Sequence, residues 1–145
     1  MAGLYFTKKK NLVPLIDEYI ERIKKDIDIV KSRLPHKIFD DFSKIQFFID
    51  KGMNYENGIL GKVSFLFKDR ILLSNDIASM LNWKYNETAI GTVVHELTHR
   101  QQMTWLGGLA FPIFNIPGVS NITLENWAVQ NEDVAADFIR YYTRR

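Results

Sequence analysis

GTVVHELTHRQQ, residues 91–102, holds two of the three histidines in this 145-residue chain. His95 and His99 stand four residues apart, and Glu96 follows the first of them. The stretch lies inside a longer helical pattern, ETAIGTVVHELTHRQQMTW, at 87–105. Because residues four apart project from the same face of a helix on successive turns, the two imidazoles are expected to point at one neighbour.

Both ends of this helix have recognisable signals in the sequence. Asn86 is a suitable N-cap, and Glu87 places a negative charge in the positively polarised first turn. Gly107 and Gly108 predict the end of the helix. Apolar residues flank the histidines on both sides, which indicates that the helix is buried where it carries them.

The spacing of the two histidines predicts a metal site. Two imidazole nitrogens can bind one tetrahedral ion, while Glu96, rotated aside from them, can take a proton from water whose pKa the ion has lowered. The alternative interpretation is that polar residues merely decorate a helix surface. Buried histidines need partners, however, and a metal supplies them, which favours the metal site. The chain has no cysteine, so thiolate ligands are excluded.

A catalytic zinc site generally has three protein ligands, so the third has to be found outside this stretch. His36, the remaining histidine, precedes the motif in a loop beside Pro35, and the residues after His99 lack the histidine of a three-histidine site. A carboxylate from the last helix is therefore expected. Glu125 and Glu132 share one face of that helix, about 10.5 Å apart along its axis, so they cannot both bind one ion.

The second half of the chain resembles the small HExxH proteins of the gluzincin kind found in bacteria and their phages. The resemblance rests on HELTHRQQMTWLGG, then an apolar aromatic loop, then LENWAVQNEDVAADF. The resemblance covers residues 86 to about 140. It implies a zincin-like fold and a zinc ion bound by His95, His99 and a glutamate of the second helix. It also implies that Glu96 is the general base.

The third ligand implied by this resemblance is Glu125, from its position in LENWA. NEDVAAD resembles the glutamate helix of many metallopeptidases, so Glu132 is the alternative third ligand. In those proteins an acid four residues after the ligand orients the first histidine. Here Asp137 lies five residues after Glu132 and four after Asp133, so the register departs by one.

The whole chain is predicted to form one α+β domain, residues 1–145. Apolar spacing predicts an N-terminal helix over 13–34, with Pro14 in its first turn. Strands of a small three-stranded sheet are predicted at 44–50, 59–67 and 70–74, the last two joined by KDR as a tight connection. A short helix at 76–83 and a last helix over 123–145, capped by Thr123, complete the order.

Composition and hydropathy narrow the expected partners. The net charge of +2, without a basic stripe interleaved with aromatic residues, argues against nucleic acid. No signal peptide or spanning segment is expected, because the most apolar run, 105–119, is too short and contains Pro112 and Pro117. This run is interpreted as an apolar loop packed on its own core, with a protein or membrane contact as the alternative. The expected location is cytoplasmic or virion-associated.

The function expected from these residues is a zinc-dependent hydrolase, most simply a peptidase acting on a peptide or protein. An extended substrate would add to the strand GKVSFLF or RILLS at the edge of the cleft. Candidates to stabilise an oxyanion, by residue type alone, are Arg140, Tyr141 and Tyr142. The alternatives are a metal-binding domain without proteolytic activity, such as a component of a phage particle or larger assembly, and a regulatory or toxin-like binding module. The presence of Glu96 favours chemistry, because a structural metal site needs no base.

Overall fold

The structure is a computed structural model that describes residues 8–38, 41–54, 60–64, 67–107 and 124–143. Within these residues the chain has an α+β fold, as predicted. The helices are α1 (Asp17–Val30), α2 (Asn75–Met80), α3 (Glu87–Leu106) and α4 (Glu125–Thr143). The strands are β1 (Leu12–Pro14), β2 (Gln46–Asp50), β3 (Gly61–Ser64) and β4 (Phe67–Ser74). Short 3-10 turns occur at Lys9–Asn11, Lys31–Arg33 and Phe42–Lys44.

The strands form one mixed sheet in the order β1-β2-β4-β3. The central pair, β2 and β4, is parallel, and each outer strand is antiparallel to its neighbour. The sheet therefore has four described strands rather than the three predicted. The additional one is β1, in which Val13 pairs with Ile49 and Pro14 with Phe48.

Two predicted boundaries are wrong because the sheet takes backbone that the sequence pattern assigned elsewhere. The first helix begins at Asp17 rather than at Val13, since Val13 and Pro14 belong to β1. The backbone N–H of Leu15 donates to the Phe47 carbonyl at 2.9 Å and prolongs this pairing. Residues 68–70 are likewise not a connection but part of β4, and residues 65–66, between β3 and β4, lie outside the described residues.

The helix α3 is the centre of the fold. Its buried residues lie on every side of its axis, which is typical of a helix enclosed by other elements. It packs on β3 and β4 on one side and on α4 on another. The prediction that the two long helices pack together with a small sheet to one side is therefore confirmed.

The ends of α3 follow the sequence signals only in part. Gly107 follows the last turn with φ of 58°, a value that favours glycine, and its N–H donates to the Met103 carbonyl. Asn86 does occupy the N-cap position, but its side chain makes no cap hydrogen bond there. Its amide instead donates to Asp26 at 2.8 Å and to the Leu81 carbonyl at 3.0 Å.

Some predictions fall on residues that the structure does not describe. The Thr123 cap and Gly108 are among them, as is the apolar loop from 108 onward. The predicted short helix at 76–83 is present as α2, capped by the Ser74 hydroxyl, which accepts from the Ile77 N–H at 3.1 Å. None of the described helices is both long enough and apolar enough to cross a membrane.

Candidate metal centre

Three predicted ligands converge where α3 meets the first turn of α4. His95 Nε2 lies 2.8 Å from Glu125 Oε1, and His99 Nε2 lies 3.0 Å from Glu125 Oε2. One ligand atom from each of the three residues can be chosen so that all lie within 4.8 Å of one another. The i, i+4 spacing brings the imidazoles to the same face of α3, and α4 brings its first residue, Glu125, opposite them.

Glu132 also reaches His95, but at the other ring nitrogen. Its Oε1 accepts from His95 Nδ1 at 2.6 Å. Glu132 lies seven residues beyond Glu125 on α4, so one helix supplies carboxylates to both nitrogens of the same imidazole. The structure therefore gives the two glutamates different positions rather than equivalent ones.

Gln102 fixes the second histidine in the same way. Its Nε2 donates to the Leu124 carbonyl at 2.9 Å, and since a carbonyl can only accept, the amide oxygen must face the other way. That oxygen lies 2.9 Å from His99 Nδ1, which must then carry the proton. The remaining nitrogen of His99, Nε2, points at Glu125. Gln102 thus fixes both the tautomer of His99 and the distance from α3 to the start of α4.

Each imidazole consequently lies between two acceptors. A neutral imidazole has one N–H and satisfies one acceptor, so the second nitrogen requires a proton or a cation. Burial opposes the charged form of His95, but hydrogen bonds to Glu125 and Glu132 outweigh it and raise its pKa to about 10. Burial also opposes the charged form of His99, but the hydrogen bond to Glu125 outweighs this effect and raises the pKa of His99.

The donor set fits a divalent cation. Two protonated imidazoles would place like charges in rings whose centroids are 4.9 Å apart, which is unfavourable. One divalent ion among the two Nε2 atoms and Glu125 carries the same charge without that repulsion. Hydrogen bonds from His95 and then His99 hold the pKa of Glu125 well below its usual range, so its carboxylate is ionised. Two imidazoles and one carboxylate are the ligands of a common class of catalytic zinc site.

Glu96 lies apart from this group, on the side of α3 that faces the sheet. Its side chain is buried, and burial raises the pKa of its carboxyl. β3 comes very close to it: a Cβ at Gly61 would lie 3.0 Å from Glu96 Cγ and 3.1 Å from Thr92 Cγ2. Glycine at position 61 therefore permits the strand to approach the helix at the predicted base.

The other candidates named from the sequence lie away from the three ligands. His36 stacks on Trp127 with ring centroids 4.4 Å apart, and its Nε2 donates to Gln130 Oε1 at 2.6 Å. Asp137 pairs with Arg140 at 3.1 Å, and Arg140 also reaches Glu87 at 3.4 Å.

The oxyanion candidates are also remote from Glu125. Arg140 is fifteen residues beyond it on α4, about 22 Å along the helix axis, and Tyr141 and Tyr142 follow. Both tyrosines are exposed. This geometry gives these three residues no role beside the histidines.

The role of Gln102, which follows His99 by about one helical turn, was not predicted from the sequence. The i, i+3 spacing was available as a signal, since such residues are neighbours on a helix surface. Its second hydrogen bond, to the Leu124 carbonyl, depends on how α4 docks and had no signal in the sequence.

Comparison with models of protein families, with curated proteins and with solved structures finds no match to this chain.

Proposed function

We propose that this chain is a zinc-dependent peptidase with a zincin-like fold, in which His95, His99 and Glu125 bind the ion and Glu96 is the general base. The observation that carries the proposal is the division of the histidine nitrogens. Both Nδ1 atoms are held by Glu132 and Gln102, while both Nε2 atoms face the Glu125 carboxylate. Ligand histidines are typically held in this way by a partner on the second nitrogen.

The residues of the chain divide the chemical work. A bound zinc ion would supply Lewis acidity, polarising a carbonyl and lowering the pKa of water. Glu96 takes the proton of the attacking water and returns it to the leaving amine. Burial raises the pKa of Glu96, which makes its carboxylate a stronger proton acceptor. Glu132 and Gln102 keep the imidazoles oriented throughout.

The position of β3 supports a peptide as the substrate class. β3 is the last strand in the order of the described sheet and lies directly against Glu96 through Gly61. An extended peptide that added to this strand would form main-chain hydrogen bonds along it. Its scissile bond would then lie between the strand and the face of α3 that carries the histidines.

The ligand assignment is tested by measuring metal in purified variants. Glu125→Ala is expected to lose most of the bound zinc, because it removes an inner ligand. Glu132→Ala is expected to keep one zinc per chain at saturating metal but with an affinity lower by about 10- to 100-fold, the usual effect of losing a partner of a ligand. Asp133→Ala, an exposed neighbour on α4, is the control and should match the parent. Full zinc in Glu125→Ala together with loss in Glu132→Ala would reverse the assignment.

The catalytic assignment is tested with Glu96→Gln, which keeps the shape of the side chain and removes the proton acceptor. It should retain zinc at the parent stoichiometry and lose hydrolysis of a fluorescence-quenched peptide library by a factor of about 100 or more. Asp133→Asn is the matched control and should cleave like the parent. Parent-level cleavage by Glu96→Gln would exclude Glu96 as the base. A parent protein that binds zinc and cleaves no member of the library would favour the alternative, a metal-binding protein without proteolytic activity.

A further inference from the structure

A cavity of about 370 Å³ lies on the side of α3 next to the candidate metal centre. It is within the size range of small-ligand sites. The residues that matter to its chemistry are His36, Lys37, Gln101, Gln102, Trp105 and Trp127. Gln102 also contacts His99, so the cavity and the metal centre share one side chain.

The wall formed by His36 and Trp127 is held in place before any ligand arrives. Their rings stack at 4.4 Å with an angle of 6° between their planes. Asn131 accepts from the His36 N–H at 3.0 Å and donates to the His36 carbonyl at 2.8 Å, so the backbone there is fixed to α4. A wall fixed in this way costs little ordering on binding, which favours affinity.

The lining combines three complementary features. Trp105 is 73% exposed and Trp127 is 42% exposed, so both offer aromatic surface to an apolar ring. Lys37 adds a cation, and none of the described residues that line the cavity is acidic. Gln101 also lines the cavity, and the oxygen of its side-chain amide is an acceptor suited to a ligand N–H.

We infer that the cavity binds an aromatic amino acid whose nitrogen is acylated and whose carboxylate is free, which is the chemistry of an aromatic residue at the C-terminus of a peptide. The ring packs against the two tryptophans, the carboxylate pairs with Lys37, and the amide N–H donates to Gln101. This binding requires no metal and goes beyond the proposed hydrolysis.

The probe is N-acetylphenylalanine, titrated into chelator-treated protein and followed through the NMR signals of the tryptophan indole N–H groups. The signals of Trp105 and Trp127 should shift with saturation, while that of Trp83, which is exposed but outside the cavity, should stay. N-acetylphenylalaninamide, without the charge, and N-acetylleucine, without the ring, should each bind about tenfold more weakly. Equal binding of all three compounds, or no saturable shift, would overturn the inference.

Two pairs of variants separate the contributions of the ring and the charge. Trp105→Ala should weaken N-acetylphenylalanine binding about tenfold or more, whereas Trp83→Ala, its exposed counterpart, should leave it unchanged. Lys37→Ala should remove the preference for the acid over the amide, whereas Lys51→Ala, an exposed lysine outside the cavity, should preserve it. A preference retained in Lys37→Ala would contradict the site. Because no metal is present, failure here leaves the peptidase proposal standing, and failure of the zinc experiments leaves this site standing.

Discussion

The imidazole of His95, on α3, contacts α4 through both of its ring nitrogens. Its Nε2 contacts Glu125 and its Nδ1 contacts Glu132, while the residue itself belongs to α3. Two carboxylates on one imidazole favour its protonated form strongly. In chelator-treated protein this residue is therefore expected to hold a proton, which zinc would have to displace if it binds as proposed.

This protonation predicts how the stability of the chelator-treated protein depends on pH. The pKa of His95 is raised from 6.5 to about 10, so its contribution is complete below pH 6.5 and is lost as the pH rises towards 10. The pKa of Glu125 is lowered from 4.5, so its contribution is present above pH 4.5 and is lost as the pH falls below it. The free energy of unfolding should therefore be highest between about pH 4.5 and 6.5 and should decline above that window.

Urea denaturation at pH 5.5 and pH 8.5 in the presence of a chelator measures this pH dependence of the free energy of unfolding. The same measurement with saturating zinc gives the stabilisation that zinc adds at each pH. Zinc requires unprotonated imidazoles, so the stabilisation it adds should grow from the lower pH to the higher. Glu125→Gln should remove most of the decline in the chelator, because the partner that raises both histidine pKa values loses its charge. Chelator-treated parent protein that is more stable at pH 8.5 than at pH 5.5 would contradict the prediction.

The residues that could be predicted from the sequence are those whose relation is local. His95, Glu96 and His99 lie on one helix, and helical spacing alone determines which of them share a face. The choice between Glu125 and Glu132 could not be made from the residues, since it depends on the axial position of α4 against α3. The two glutamates contact different nitrogens because Glu132 lies two helical turns beyond Glu125 and reaches the far side of the same imidazole ring.

At the scale of elements, the contact between β3 and α3 brings the sheet to the candidate base. Gly61 permits this contact, because a Cβ at position 61 would lie only 3.0 Å from Glu96 Cγ and 3.1 Å from Thr92 Cγ2. A second glycine has the same role between the helices. A Cβ at Gly91 would lie 3.2 Å from Glu132 Cγ, so its absence lets α4 approach α3 where Glu132 reaches His95.

Gly61→Ala is predicted to separate catalysis from metal binding. The added methyl group forces β3 or Glu96 to move, which should lower hydrolysis and destabilise the fold by about 1–3 kcal/mol. Zinc content should be unchanged, because His95 and His99 face α4, which carries the third proposed ligand, rather than β3. Metal analysis, peptide cleavage and urea denaturation measure the three effects.

Thr92→Ser should relieve the clash caused by Gly61→Ala, because it removes the methyl group that the new Cβ would meet at 3.1 Å. The hydroxyl that donates to the Thr88 carbonyl is kept. In the double variant part of the lost stability should return, giving a coupling energy between the two sites. Additive effects would show that the two groups do not meet and that β3 lies elsewhere.

Across the whole molecule, Asn131 connects three parts of the chain. Its amide is fully buried and bonds to both backbone groups of His36 and to the Thr98 hydroxyl at 2.9 Å. Asn131 therefore links the segment after α1 to both long helices. On those helices Thr98 and Asn131 are the sequence neighbours of His99 and Glu132. Replacing the side chain leaves buried polar groups without partners.

Asn131→Ala is accordingly expected to lower the free energy of unfolding by about 3 kcal/mol. Gln130→Ala removes one exposed hydrogen bond to the same histidine and should cost less than about 1 kcal/mol. Urea denaturation of both variants beside the parent measures the difference. Equal costs for the two substitutions would mean that the Asn131 network contributes nothing specific.

Long-range pairing also explains which elements the sequence did not reveal. Residues 12–14 are too few to give a strand pattern of their own, and they become β1 because β2 offers them backbone partners. Residues 68–70 are polar and resemble a turn, yet they extend β4, where Asp69 accepts from the buried Arg100 of α3 at 2.5 Å. Both errors arise from contacts between distant parts of the chain, which local patterns do not encode.

The central position of α3 has a consequence for biosynthesis. The sheet that covers one side of this helix is encoded before it, and the helix that covers the other side is encoded after it. As the chain leaves the ribosome, α3 can pack on the completed sheet while its histidine face still meets solvent. The last proposed ligand to be translated is Glu125, and α4 then closes that face. A chain truncated between 107 and 124 and released from the ribosome would therefore display a half-covered helix whose exposed side carries two imidazoles, a species suited to capture by chaperones or by stray metal ions.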